Sequence, residues 1–200
     1  MRLPTTPGGY AVIYADPAWT FRTRSAKGQG RSPQRHYATM DLAAIAALPV
    51  ADVAARNASL FLWTTTPHLP AALSIMAGWG FVYSSVAFVW VKLKKSANPT
   101  QLRVTTLDDA DCFVGMGYTT RQNAEFVLLG RRGAPKRRSA AVRQVVIAPR
   151  REHSRKPDQV RARIEALMAG PYLELFARTR APGWDSWGDE VERFAVEHAP

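Results

Sequence analysis

A chain of 200 residues with 46% hydrophobic and 22% charged residues has the composition of a globular protein, which excludes a fibre or a disordered tail. At this length roughly 70% of the unfolded surface is hidden on folding, so neither a disulfide nor a metal is needed for stability. Lys and Arg number 27 against 16 Asp and Glu, a formal charge of +11, and that balance predicts attraction to a polyanion, nucleic acid first among them.

The elements follow in chain order. YAVIYA, residues 10–15, is a short apolar, β-rich run stopping at Asp16-Pro17, the pattern of a buried strand that ends in a loop. Residues 20–40 read as a long basic loop, and Asp41–Leu48 as a short helix with Asp41 as its cap. Ser59–Thr64 is a second buried strand, followed by a helix over Leu69–Gly78 with Leu69, Leu73 and Met76 on one face and Gly78 and Gly80 at its end. Phe81–Lys92 is a third strand, residues 94–122 a second long loop, and Ala124–Gly130 and Val142–Ala148 two further strands. From Pro157 the spacing Val160, Ile164, Leu167, Met168 predicts a helix stopped by Gly170-Pro171. Tyr172–Ala177 is the last predicted strand, and GDEVERFAVEH is expected to start a closing helix. Strands alternating with helices predict a three-layer α/β fold with a mostly parallel sheet and a site at the carboxyl ends of its strands.

Cys112 is the single cysteine and cannot form an internal bridge; together with His36, His68, His153 and His198 it shows no ligand spacing, so no metal is expected. No apolar run approaches the ~18 residues of a membrane span, and MRLPTTPGG lacks the apolar core of a secretion signal. One cytoplasmic domain over residues 1–200 is the expectation. Residues 131–163 hold twelve Lys or Arg against Glu152 and Asp158, which makes this stretch either a solvated face or a phosphate-contacting surface.

Asp16-Pro17-Ala18-Trp19 follows the first strand directly and so presents a carboxylate, a rigid carbonyl and a flat aromatic surface together. The exocyclic amine of adenine is a poor nucleophile because its lone pair is delocalised into the ring. If Asp16 and the Pro17 carbonyl each accept one N6 hydrogen, the lone pair turns toward a methyl donor and the charge developing on nitrogen is stabilised. Trp19 would then stack on the base. The competing reading is an ordinary Asp-Pro turn beside a core tryptophan.

ADPAW at 15–19, HYATM at 36–40, LFLWTT at 60–65, WGF through FVWVK at 79–92, GYTTRQNAEFVLLGRRG at 117–133, HSRKPDQV at 153–160 and LELFARTRAPGWDSWGDE at 173–190 occur in one order. In that series the chain resembles the adenine-N6 methyltransferase family typified by the seventy-kilodalton subunit of the eukaryotic mRNA adenosine methyltransferase, which has small bacterial and phage members. The resemblance covers Tyr10 to Phe194. It implies a Rossmann-like S-adenosylmethionine-dependent methyltransferase in permuted order, with the catalytic motif ahead of the cofactor motif. It implies that Asp16, Pro17 and Trp19 form the catalytic motif. It also places Asp16, Glu174, Phe176, Arg178, Asp189 and Glu190 around S-adenosylmethionine, although Asp189 and Glu190 also suit the first turn of a helix. His36 and Tyr37 fall where the family closes a loop over the target base, or are plain surface residues. Lys156 falls in the family's Lys-Pro pair, near the substrate or cofactor or on the surface.

Two departures stand out. Ala18 replaces a second proline that would restrict the residue before it to extended geometry, and Ala177 stands where related methyltransferases often have glycine. The expected activity is methyl transfer from S-adenosylmethionine to the N6 amine of adenine in DNA. The alternatives are RNA adenosine, or a non-catalytic nucleic-acid-binding partner with the same fold. Retention of Asp16, Pro17 and Trp19 together speaks against the last.

Overall fold

The computed structural model describes residues 2–19, 40–96, 112–113, 115, 120–152 and 155–194. Seven strands form one sheet: β1 (Tyr10–Ala15), β2 (Ala54–Thr64), β3 (Val82–Leu93), β4 (Ala124–Arg132), β5 (Val145–Pro149), β6 (Tyr172–Leu175) and β7 (Trp184–Trp187). Their order across the sheet is β5-β3-β4-β2-β1-β6-β7. The pairs β1 with β2, β1 with β6, β6 with β7 and β3 with β5 are parallel, while β4 runs antiparallel to both β2 and β3. The central strands are covered on both faces, which is why β1 and the second half of β2 read as continuous apolar runs rather than as alternation.

Helices α1 (Leu42–Ala46), α2 (Val50–Val53) and α3 (Leu69–Gly78) pack on one face, where Ile45, Val50, Ile75 and Met76 meet Ile13, Leu60, Leu62 and Leu173. Helix α4 (Asp158–Leu167) covers the other, with Val160 and Ile164 against Val12, Tyr14, Phe61 and Trp63. The result is the expected three-layer arrangement. Asp158 in the first turn of α4 complements the positive end of the helix dipole.

Several local expectations are corrected. Asp41 occupies the position before α1 with extended backbone, but its side chain makes no capping hydrogen bond. The buried face of α3 is Ala72, Ile75 and Met76 with Leu73 packed beside it, whereas Leu69, in the first turn after the short 3-10 turn at Thr66–His68, is exposed. The predicted strand at 142–148 begins only at Val145. Residues 184–187 form β7, and residues 189–194 form turns in place of the expected closing helix; Arg178 O accepts the Phe194 amide at 3.0 Å and folds that segment back on the end of β6. Most of the two long loops, including His36 and Tyr37, lies outside the described residues.

Candidate active site

Strand β1 has β2 on one side and β6, which comes last of the three in the chain, on the other. A reversal of strand order opens a crevice outside the carboxyl ends of such strands. Asp16 lies at that point, one residue past β1, and its amide is held by Leu175 O at 3.4 Å, which ties the motif to the end of β6. Pro17 O accepts the Trp19 amide at 2.8 Å, and Ala18 O accepts the Met40 amide at 3.2 Å. The carbonyl of Pro17 is therefore held by a hydrogen bond two residues on. A carbonyl oxygen has a second lone pair to offer a ligand.

Tyr14 and Glu174 are register partners on β1 and β6, so their side chains share the face covered by α4. Asp16, two residues beyond Tyr14, opens into a cleft lined also by Lys156, Pro157, Glu174, Phe176 and Arg178. Glu174 is buried there and Asp16 and Glu125 are partly buried, each with a cation. Lys156 Nζ lies 2.9 Å from Asp16 Oδ1 and 3.4 Å from Glu125 Oε2, and Lys92 reaches Glu125 Oε1. Arg161 places Nη2 2.7 Å and Nε 3.1 Å from Glu174 Oε2.

Burial raises the Glu174 carboxyl pKa above its ordinary value, with Arg161 offsetting part of the rise. At Glu125 burial also works upward, but Lys156 and Lys92 outweigh it and hold the pKa at about 2. Burial would lower the Lys156 ammonium; Asp16 and Glu125 reverse that and raise it, so it stays charged. Lys156 was expected near substrate or cofactor or on the surface, and the structure settles its place beside Asp16. Glu125 and Lys92 went unnoticed in the sequence. The available signal was a charged residue at the end of each of two apolar strands, which the antiparallel course of β4 brings to the same sheet end as Asp16.

Trp19 packs on the sheet face opposite α4. It is buried in the layer under α1–α3, donates its indole N–H to Trp63 O at 3.1 Å, and stacks on His68 with centroids 5.4 Å apart. One face of the Trp19 ring thus carries His68.

Phe176 sits just past β6 with φ of +60°, a left-handed conformation uncommon for a side chain of that size, and packs edge-on against Trp187. Asp189 and Glu190 line an adjoining groove with Arg180, Ser186 and Trp187, and Arg178 Nε lies 3.5 Å from Glu190 Oε2 between the groove and the cleft. Gly188 packs tightly on Ala177: a Cβ on Gly188 would fall 2.6 Å from Ala177 O.

The family model described as MT-A70 matches residues 10–190. The chain belongs to the MT-A70 family. The MT-A70 chain is 33% identical to the Type II methyltransferase M.MunI of a Mycoplasma species, over 94% of its own length and 80% of that protein's. It is 28% identical to the N6-methyladenosine RNA methyltransferase MTA1 of Cryphonectria parasitica, and 29% identical to the human N(6)-adenine-specific methyltransferase METTL4. It spans 52% and 38% of those two chains. The MT-A70 chain thus has the Rossmann-like methyltransferase fold, with the Asp-Pro-Ala-Trp motif after β1 ahead of LELFAR at the end of β6 in permuted order. Among the described residues no helix is long and apolar enough to cross a membrane.

The donor set fits S-adenosylmethionine. Ser186 Oγ and Trp187 Nε1 are buried without a hydrogen-bond partner at the adjoining groove, where hydroxyls and ring nitrogens of an adenosine would satisfy them. Carboxylates at Asp189 and Glu190 suit ribose hydroxyls, and those at Asp16 and Glu174 suit a ligand carrying ammonium and sulfonium charge.

Proposed function

We propose that this chain methylates the N6 amine of adenine in DNA at specific sites, using S-adenosylmethionine. One observation carries the reading: Asp16, which Pro17 follows directly, opens into the same cleft as Glu174, Phe176 and Arg178. When bound, S-adenosylmethionine supplies an electrophilic methyl group on a sulfonium.

The chain's own residues do the rest. Lys156 takes Asp16 Oδ1 and leaves Oδ2 to accept one N6 hydrogen, while Pro17 O accepts the other. The amine is drawn out of conjugation, and the positive charge that grows on nitrogen meets two fixed acceptors that need no reorganisation. Glu174 on β6 and Arg178 beyond it would orient the cofactor, and Asp189 and Glu190 would hold its ribose. Target-base binding falls to His36 and Tyr37 by the family resemblance. In a duplex the base must leave the stack at a cost of a few kcal/mol, which contacts to the backbone have to offset. DNA is favoured because the chain spans 80% of the Type II methyltransferase but 52% of the RNA methyltransferase. The latter likeness supports RNA adenosine as the second reading.

The test is incubation with labelled S-adenosylmethionine and separate pools of duplex DNA, single-stranded DNA and RNA, followed by nucleoside analysis. N6-methyladenine in the DNA pools is expected, and product confined to RNA selects the second reading. Asp16→Asn should lower transfer by about 10²- to 10³-fold, the scale of one lost transition-state contact, with cofactor binding changed only a few-fold. A fully active variant removes Asp16 from the reaction.

A further inference from the structure

The basic run at 131–163 divides into two parts in space. At the catalytic end its cations are answered by acids: Arg151 by Asp158 at 2.7 Å, Arg155 by Glu152 at 3.4 Å, Lys156 by Asp16 at 2.9 Å and Arg161 by Glu174 at 2.7 Å. The connection from β4 to β5 is different. Arg131, Lys136, Arg137, Arg138 and Arg143 are all exposed, and the sequence has no Asp or Glu between Glu125 and Glu152. None of the five makes a salt bridge with a described residue.

Their placement is fixed by backbone. Arg131 pairs with Ser59 on β2 and, by strand alternation, shares the face of Val127 and Leu129 under α4. The Arg138 amide donates to Leu167 O at 2.7 Å, and Arg137 bridges Met168, so the middle of the connection is pinned to the carboxyl end of α4. That helix end carries about half a negative charge, too little to answer the three neighbouring cations at 136–138. Lys156 stands before the opposite end of α4. Ten residues at ~1.5 Å each put roughly 15 Å between the catalytic cleft and this strip, along one flank of the molecule.

We propose that residues 131–143 are a second docking strip for the DNA sugar–phosphate backbone, reached by duplex that extends about four to five base pairs beyond the target base and read without regard to sequence. This rests on the nucleic-acid reading of the cleft. The strip holds the duplex while the base is extruded, and takes no part in the chemistry.

The experiment compares two mixed-sequence probes, a hairpin-capped duplex of about 6 base pairs and a linear one of about 24, in KCl from about 50 to 200 mM. Lys136→Ala/Arg137→Ala/Arg138→Ala should weaken binding of the long probe at least about tenfold and of the short probe less than about twofold, with the salt slope reduced by up to ~0.9 for each cation removed. Methyl transfer at saturating long DNA should stay unchanged. Lys136→Arg/Arg137→Lys/Arg138→Lys should keep the affinity. Equal losses on both probes, no loss on either, or a loss confined to a matched RNA duplex would overturn the strip while leaving transfer by the unmodified chain intact. An unmodified chain that neither binds nor methylates any DNA overturns the cleft reading as well.

Discussion

Trp19 shows how much a side chain's role depends on which face of the sheet it joins. The motif turns at Pro17, and from there residue 19 points into the layer beneath α1–α3, where Trp63 O and His68 take its N–H and its ring. Trp19→Ala should cost about 3–5 kcal/mol through the cavity it leaves. Trp19→Phe should cost about 1 kcal/mol for the lost hydrogen bond and keep most of the transfer rate. Urea denaturation alongside kcat and KM measures both; a phenylalanine variant that is stable but inactive would return the tryptophan to the base. The sequence could show the tetrapeptide and its chemistry but not this orientation, because a two-residue turn can deliver residue 19 to either layer. Asp16 was readable for the opposite reason: it continues the alternation of β1, and its direction follows from Tyr14.

At the scale of elements, strands, helices and their order were legible wherever apolar runs or helical spacing marked them, as in β1, β2, α3 and α4. What escaped were features set by pairing. The sequence WDSW carries no strong strand pattern and becomes β7 by lying in register with β6, Tyr172 opposite Trp184. The course of β4 against its neighbours could not be read from its composition, yet it delivers Glu125 to Lys156.

That ion cluster predicts an acid response. The Glu125 pKa lies at about 2 rather than the ordinary 4.5, so its ionic contribution, on the order of 3 kcal/mol, is present above pH 4.5 and lost as pH falls toward 2. Glu125→Gln should therefore be less stable by about that amount at pH 7. The gap between the two proteins should close as denaturation is repeated at falling pH. A gap that stays constant down to pH 3 would mean that packing, not charge, holds the residue.

For the molecule as a whole, the length of α4 separates two kinds of charge. Carboxylates and their paired cations gather where β1 and β6 end, while unanswered positive charge gathers beside the far end of α4. The net charge of +11 predicted a polyanion but could not say that much of it stands apart from the reacting atoms. That division needed the ion pairs, which are tertiary. It leads to the expectation that salt governs affinity for long DNA more than turnover once DNA is saturating.

The ammonium of Lys156 also lies 5.3 Å over the Trp63 ring, and Trp63 donates to Tyr14, whose register partner is Glu174. An indole so placed is a built-in optical probe: any molecule that draws this cation away alters the field at the chromophore. Its ultraviolet emission should shift on titration with unlabelled cofactor, so occupancy can be followed without a dye, and replacing Trp63 with phenylalanine should remove its part of the signal and leave that of Trp187 at the adjoining groove.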